Sequence, residues 1–514
     1  MKPIRLLSGL LTVGGWTMAS RVLGFVRDAM IVALLGTGPA YQAFIVAFSL
    51  PNMFRRFFAE GAFNMAFVPM FSRRLETGDR PADFAQEAFA ALASVVLVLT
   101  LIAQLAMPGL VYAMASGFAG QEQFDLAVGF GRIAFPYIFF IALAAMLSGV
   151  LNASGRFVAA AAAPVLLNVI FIAFMSLALW LGGEVARALI WAVPVAGVAQ
   201  FALVWSAARK AGFTMRPAMP RFTPEIRQLA IVAAPAALAS GVVQINLLIG
   251  RQVASYFDKA MDWMYTADRL YQLPLGVVGI AVGIVLLPDL SRRLAADDAA
   301  GGRAALSRAG EISLALTLPA AVALLVIAEP MVSVLFERGK FTAADSQGTA
   351  LAAAIYGLGL PAFVLQKVLQ PLYFARSDTR SPFRFAVWAM LVNAGCAIGL
   401  SPVIGWPAAA LGTTLAGWAM VVFLWRGTST MGEVARFDDR FRRAVPRQLL
   451  ASILMGAVLW ALAQGLQGAL HTAGLRYGAL ALLIGAGIVS YFAAAHLLGA
   501  LTLRELKSAF RRGR

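Results

Sequence analysis

The chain has 514 residues, 61% apolar and only 13% charged, about half the roughly 25% charge of an ordinary soluble domain, which excludes a soluble globular enzyme. A single cysteine, Cys396, rules out an intramolecular disulfide or a multi-cysteine metal site, and two histidines, His471 and His496, leave little for zinc or neutral-pH base chemistry. The formal charge of +17 would suggest nucleic acid in a soluble chain, but basic loops of a membrane protein face the cytoplasm and anionic lipid, so no nucleic-acid partner is expected.

A helix crossing about 30 Å of hydrocarbon needs roughly 20 apolar residues, and the apolar runs here are far too long for barrel strands. In chain order they predict crossings at 8–36, 42–71, 84–115, 124–151, 158–181, 187–208, 226–257, 263–290, 306–336, 346–375, 382–400, 407–426, 447–469 and 475–503. The expected class is therefore an all-α polytopic membrane protein of about fourteen helices. Lys2 and Arg5 ahead of the first apolar run imitate a signal peptide, but Arg21, Arg27 and Asp28 follow with no small-residue cleavage site, so this run reads as an uncleaved helix.

Lys and Arg positions test the count, since loops of only one parity should be basic. The even-numbered connections hold 22, among them Arg73, Arg74, Arg209, Lys210, Arg292 and Arg293, whereas the odd-numbered ones hold five: Arg187, Lys259, Arg338, Lys340 and Arg476. Both termini are accordingly expected in the cytoplasm.

The chain also repeats itself. Val68-Pro69-Met70-Phe71-Ser72-Arg73-Arg74-Leu75 matches Leu287-Pro288-Asp289-Leu290-Ser291-Arg292-Arg293-Leu294 at an offset of 219, and Pro108, Gly117 and Asn168 have counterparts in Pro330, Gly339 and Asn393. Six crossings separate the copies, an even number, so the repeat is parallel, a transporter architecture with its site between halves. The expected division is a first lobe at 1–215, a second at 216–440, and an added pair of helices at 441–514.

Eight Lys and Arg fall in or near the predicted helices: Arg21, Arg27, Arg55, Arg56, Arg132, Arg251, Arg269 and Lys367. Each costs about 2.5–3.5 kcal/mol at mid-bilayer on insertion scales. Helical periodicity groups Arg21, Gly24 and Asp28 on one face, and Asn52, Arg56 and Glu60 on another, with Arg27 and Arg55 pointing elsewhere. Pro51, Gly24, Gly61 and Pro274 nearby allow bent helices that turn these charges inward. Six arginines in helices 1, 2, 7 and 8 stand against Asp28, Glu60 and Asp268, a net charge of about +3 that calls for an anion, and guanidinium forks suit phosphate and carboxylate oxygens. A plainer reading stands beside this one: Arg21 and Arg27 could simply pair with Asp28, Arg55 or Arg56 with Glu60, and Arg269 could anchor at the membrane surface. His471, His496 and Cys396 read as packing residues.

The strings Ser20 to Ala29 (SRVLGFVRDA), Ala47 to Pro69 (AFSLPNMFRRFFAEGAFNMAFVP), Phe135 to Ile138, Trp263 to Leu270 (WMYTADRL) and Gly339 to Asp345 (GKFTAAD) closely resemble the MurJ (MviN) family of bacterial lipid II flippases. The resemblance runs through both halves. It implies a fold of the multidrug/oligosaccharidyl-lipid/polysaccharide exporter type, with two six-helix lobes around a cavity and two C-terminal helices forming a lipid-tail groove. It further implies alternating-access transfer of the lipid-linked peptidoglycan precursor across a bacterial inner membrane. By matching positions, Arg21, Arg27, Arg55 and Arg269 are the implied functional arginines, accompanied by Asp28, Asn52 and Glu60. Lipid II and membrane lipids are the implied partners, with the cell-wall synthesis machinery another. No cofactor is implied beyond coupling to an ion or the membrane potential.

Two departures bear on coupling. A helix 2 position often Asp in relatives is Gln42, and where some relatives carry an acidic helix 7 residue thought to help bind sodium this chain has Gly250 before Arg251. Asp378 and Asn393 are left as weak sodium candidates. Two other classes compete: a drug exporter of the same superfamily, which would want an acidic or apolar cavity, and a polyprenyl-phosphate enzyme, which would want metal-holding acidic clusters or histidines. The arginine excess disfavours the first, and the adjacent acidic pairs Asp297-Asp298 and Asp438-Asp439 fall in loops without such a setting, so no enzyme is expected.

Overall fold

A computed structural model of the chain describes residues 6–55 and 63–500, and among these there are helices and turns but no strand. α1 (Leu6–Leu35), α2 (Pro39–Arg55) and α3 (Phe63–Thr77) occupy the first two predicted crossings. α4 (Pro81–Leu105) with α5 (Met107–Met114), α6 (Glu122–Ala134) with α7 (Tyr137–Ala153), α8 (Val158–Leu181) and α9 (Val185–Lys210) occupy the next four. α10 (Pro224–Ala254), α11 (Ala260–Ala295), α12 (Ala299–Val326) with α13 (Ala328–Phe336), α14 (Ala343–Phe374), α15 (Arg380–Ile404) and α16 (Pro407–Gly427) follow. α17 (Asp439–Gly465), the short α18 (Gln467–His471) and α19 (Arg476–Leu497) close the chain. Among the described residues nine helices are long and apolar enough to cross a membrane, and α6 with α7, bent by 41°, make a tenth candidate.

Local chemistry sets the helix starts. Pro39, Pro81, Pro224 and Pro407 sit in first turns, where a missing N–H costs nothing. Thr342 and Asp345 cap each other's backbone at the start of α14. α17 starts eight residues before the predicted 447, because Asp438 accepts the Phe441 N–H at 2.8 Å and starts the helix among charged residues that hydropathy had assigned to a loop.

The repeat is legible in the boundaries. α5 starts at Met107 and α13 at Ala328, an offset of 221, each one residue past a break and each with a proline in its first turn. α8 starts at Val158 and α15 at Arg380, and α9 at Val185 and α16 at Pro407, both offsets being 222.

The chain forms two compact units. Unit 1 comprises 1–259 together with Gly339–Phe341, and unit 2 comprises 260–338 and 342–514. The expected lobe boundary at 215/216 follows the repeat; the compact units divide later, because α10 packs on α3, α4 and α5 of unit 1. At the centre of unit 1 lies α2, where every residue from Tyr41 to Pro51 is buried, against α6, α7 and α9. At the centre of unit 2 lies α14, against α11, α12 and α16, while α17 packs on α12 and α19 on α17. Lipid tails are as apolar as leucine, so close packing rather than water exclusion holds such helices together. That favours small residues: the buried set is rich in alanine, and a Cβ at Gly412 would stand 2.7 Å from Asn393 Oδ1. Gly339 lies at φ +61 with no room for a Cβ beside the Ala33 carbonyl, which accepts the Lys340 N–H at 3.0 Å.

Candidate functional site

In unit 1 one of the predicted arginines, Arg27, is seated in a well-defined constellation where α1 crosses α8. Arg27 is only 8% exposed. Its Nε and Nη2 donate to Asp28 Oδ1 at 2.9 and 2.7 Å, and its Nη1 donates to Asn168 Oδ1 at 2.9 Å. Asn168 is itself buried and turns its Nδ2 back to the Ser20 carbonyl of α1 at 2.9 Å. The guanidinium lies 5.5 Å from the centroid of Phe171, whose ring meets Phe48 of α2 at 5.5 Å. A buried charge survives only when paired and hydrogen-bonded, and this one is both.

The face assignment read from periodicity needs a correction. Ser20, Gly24 and Arg27, spaced four and three apart, form the stripe against α8, and the Cβ position of Gly24 lies 3.6 Å from Asn168 Nδ2. Arg27 therefore does not point elsewhere but shares this side of α1 with Gly24, whose lack of a side chain admits the Asn168 amide. Arg21 is half-buried on α1.

In α2, Asn52 donates through Nδ2 to the Phe48 carbonyl of its own helix at 2.8 Å, and Arg55 is half-buried in the last turn. Arg56, Glu60 and Gly61, and with them the predicted Asn52–Arg56–Glu60 face, lie outside the described residues. Gln42 is buried within the all-buried stretch of α2.

In unit 2, Arg269 lies nine residues into α11, about 13 Å along the helix axis. Its guanidinium covers the Tyr265 ring at 4.5 Å, one turn earlier, and its neighbour Asp268 accepts a hydrogen bond from Gln272. Tyr271, two residues on and so on another side of α11, lies 5.1 Å from Tyr356 and 5.8 Å from Phe363 of α14. The start of α14 is tied to α11: fully buried Asp345 accepts from Trp263 Nε1 at 3.2 Å, Thr342 N at 3.0 Å and Thr342 Oγ1 at 2.7 Å. The conspicuous aspartate of the GKFTAAD string thus caps and docks a helix.

The two weak sodium candidates are not brought together. Asp378 stands in the turn before α15 and accepts the Ser381 N–H at 2.9 Å, a bond that holds its carboxyl below the ordinary aspartate value of 3.8. Asn393 is fully buried 13 residues into α15, about 20 Å further along the axis. They do not fit one ion, and among the described residues no group of three His, Cys, Asp or Glu could hold a metal. The remaining intramembrane cations are scattered: Arg132 is exposed at the end of α6, Arg251 half-buried in the last turn of α10, and Lys367 exposed on α14.

Sequence reasoning missed Asn168 as the partner of Arg27. It had marked that residue only as a repeat landmark, and the one available signal was an amide in an otherwise apolar crossing.

Comparison with known proteins covers nearly the whole chain. The profile of the family described as "Lipid II flippase MurJ" matches residues 31–476. The "Probable lipid II flippase MurJ" of Rhizobium tropici is 42% identical over 99% of this chain and 97% of its own length. That of Rhizobium meliloti (strain 1021) is 44% identical over 98% and 96%. Among solved structures, "Lipid II flippase MurJ, inward closed conformation" aligns with a TM-score of 0.79 at 23% identity, covering 95% of this chain and 98% of that one. An inward-facing multidrug resistance MATE family transporter of the MOP superfamily aligns at 0.70 and 15% identity, covering 80% and 95%. The two structural likenesses speak to the fold alone.

Proposed function

This chain belongs to the lipid II flippase MurJ family, and on that premise we propose that it carries lipid II, the lipid-linked peptidoglycan precursor, from the cytoplasmic to the periplasmic leaflet of the inner membrane. It is a transporter working by alternating access, with both termini in the cytoplasm, and not an enzyme. Arg21, Arg27, Arg55 and Arg269 bind the pyrophosphate and peptide carboxylates, with Asp28, Asn52 and Glu60 balancing or holding them.

The observation that carries this reading is the seating of Arg27. A guanidinium has five N–H groups; Asp28 and Asn168 engage three, and two remain for an oxyanion. The three bonds fix the plane of the fork before any substrate arrives, so little side-chain entropy is lost on binding. Phe171 and Phe48 keep water from the other side of the group. An oxyanion at the remaining N–H groups would meet a charge-assisted donor in a low-dielectric setting, where such bonds are strongest. Arg269, stacked on Tyr265, offers a second oriented guanidinium.

The membrane potential is the proposed driving force for returning the empty, cationic carrier, since one charge crossing the full field gains about 2.3 kcal/mol per 100 mV. No step is assigned to sodium, because the candidate residues do not converge. Lipid II handed over by the cell-wall synthesis machinery would be the substrate in the cell.

The test is leaflet accessibility of labelled lipid II in cells, using an added enzyme that cleaves only outward-facing precursor, before and after depletion of this protein. Cleavage should fall while total lipid II holds or rises. Unchanged cleavage, in cells without a second flippase, overturns the assignment of lipid II as the substrate.

A further inference from the structure

The segment between α9 and α10 is rigidly held at both ends yet leaves two large apolar side chains uncovered. Phe213 is buried edge-on against Phe71 at 5.5 Å, and Met215 is buried beside it. The Arg216 backbone is clamped on both sides by one side chain: Gln86 Nε2 donates to its carbonyl and Gln86 Oε1 accepts its N–H, each at 2.7 Å. At the far end Thr223 Oγ1 donates to Glu87 Oε2 at 2.9 Å and caps α10. Between these anchors Pro217 and Pro220 lack the N–H groups and the φ freedom needed for helix or sheet. Met219 is 90% exposed and Phe222 92%.

The charge around those side chains is of one sign. Arg209, Lys210, Arg216, Arg221 and Arg227 are all exposed, and within 209–227 the sole acidic residue is Glu225, which pairs with Arg74 at 3.7 Å. That gives the segment a net charge of about +4. α9 is one of the candidate membrane spans and ends at Lys210, so the segment starts where a spanning helix meets the membrane surface. Exposed apolar side chains alternating with basic ones, fixed at that level, match a surface that is anionic outside and apolar beneath.

We propose that the 212–223 segment docks on anionic lipid, with Met219 and Phe222 entering the boundary between headgroups and acyl chains and the flanking arginines meeting lipid phosphates. An acidic protein partner would satisfy the charge, but the lipid surface lies beside the segment wherever the protein is embedded. This contact is independent of which substrate is carried. It depends only on the basic loops facing the anionic leaflet, so its test needs no transport.

The full chain, with Cys396 replaced by serine and Phe222→Cys carrying an environment-sensitive fluorophore, is placed in nanodiscs of phosphatidylcholine with or without phosphatidylglycerol. A second protein carries the label at Met219→Cys, in case one site disturbs folding. With phosphatidylglycerol present, lipids bearing a nitroxide on the upper acyl chain should quench both labels several-fold more than in phosphatidylcholine alone. The gain should shrink at high salt and in the Arg216→Gln/Arg221→Gln background. Labels that remain water-exposed and unquenched in every nanodisc overturn the proposal, as an acidic protein partner would require. Equal quenching with and without phosphatidylglycerol overturns the part assigned to the basic residues.

Discussion

Replacing Asn168 with alanine probes what holds the buried guanidinium. The substitution removes the acceptor for Arg27 Nη1 and the donor to the Ser20 carbonyl, at 2.9 Å each, in a site where Arg27 is 8% and Asn168 4% exposed. Hydrogen bonds to a charged group contribute about 1.5–3 kcal/mol, neutral ones about 0.5–1.5, and water has little access to replace either. Loss of about 3 kcal/mol of unfolding free energy is therefore expected for Asn168→Ala. A double-mutant cycle with Arg27→Ala isolates the shared bond, and its coupling energy should be about 1.5–3 kcal/mol. Chemical unfolding in mild detergent, followed by tryptophan fluorescence, supplies all four corners of the cycle. Lipid II flipping by Asn168→Ala should fall several-fold although every arginine remains, since the fork is no longer fixed. A coupling energy under about 0.5 kcal/mol would show that Asn168 does not position Arg27. The account of a pre-oriented guanidinium would then fail.

Three further outcomes follow from the same geometry. Arg269→Lys keeps the charge but loses the planar fork over Tyr265, so flipping should drop nearly as far as in Arg269→Ala while both proteins insert normally; wild-type flipping by the lysine variant would reduce the site to a point charge. Gly339→Ala forces a side chain into a left-handed backbone, costing about 1–2 kcal/mol before the contact with the Ala33 carbonyl is added, and its melting temperature should fall while Gly474→Ala, also at positive φ but in open space, falls less. The Asp378 carboxyl is held below its ordinary 3.8 in the folded protein by the Ser381 N–H, so its contribution is present above pH 3.8 and is lost as pH falls through the lower folded value. Asp378→Asn should flatten that acid limb of a stability–pH profile, whereas an unchanged limb would assign it to other carboxylates.

Much of this molecule was settled by composition and order along the chain. Apolar run length alone dictates helices, because an unpaired backbone in hydrocarbon has no water to turn to, and each run read from the sequence is occupied by helix where it is described. The parallel repeat was equally legible: Pro108 and Pro330 each mark a first turn just past a broken helix, a constraint that acts within a few residues. That eight Lys and Arg, Arg27 and Arg269 among them, fall in or near apolar runs could also be read directly, and charge within such a run is expensive whatever surrounds it.

What periodicity could not decide was which groups share a site. Periodicity turned Arg27 away from the side that holds Gly24, while contact with α8 brings both to the Asn168 amide, because the neighbouring helix, and not the helix itself, determines which face is crowded. Asn168 and Asn393 occupy matching places in the repeat, yet one orients an arginine and the other packs against Gly412. Asp378 and Asn393 lie on one sequence stretch, yet α15 separates them by about 20 Å along its axis. Hydropathy and charge act locally and are written in the sequence, as is the Arg27–Asp28 pair of neighbours; the amide that completes the seat of Arg27 comes from 141 residues away, and only the packed tertiary structure chooses it.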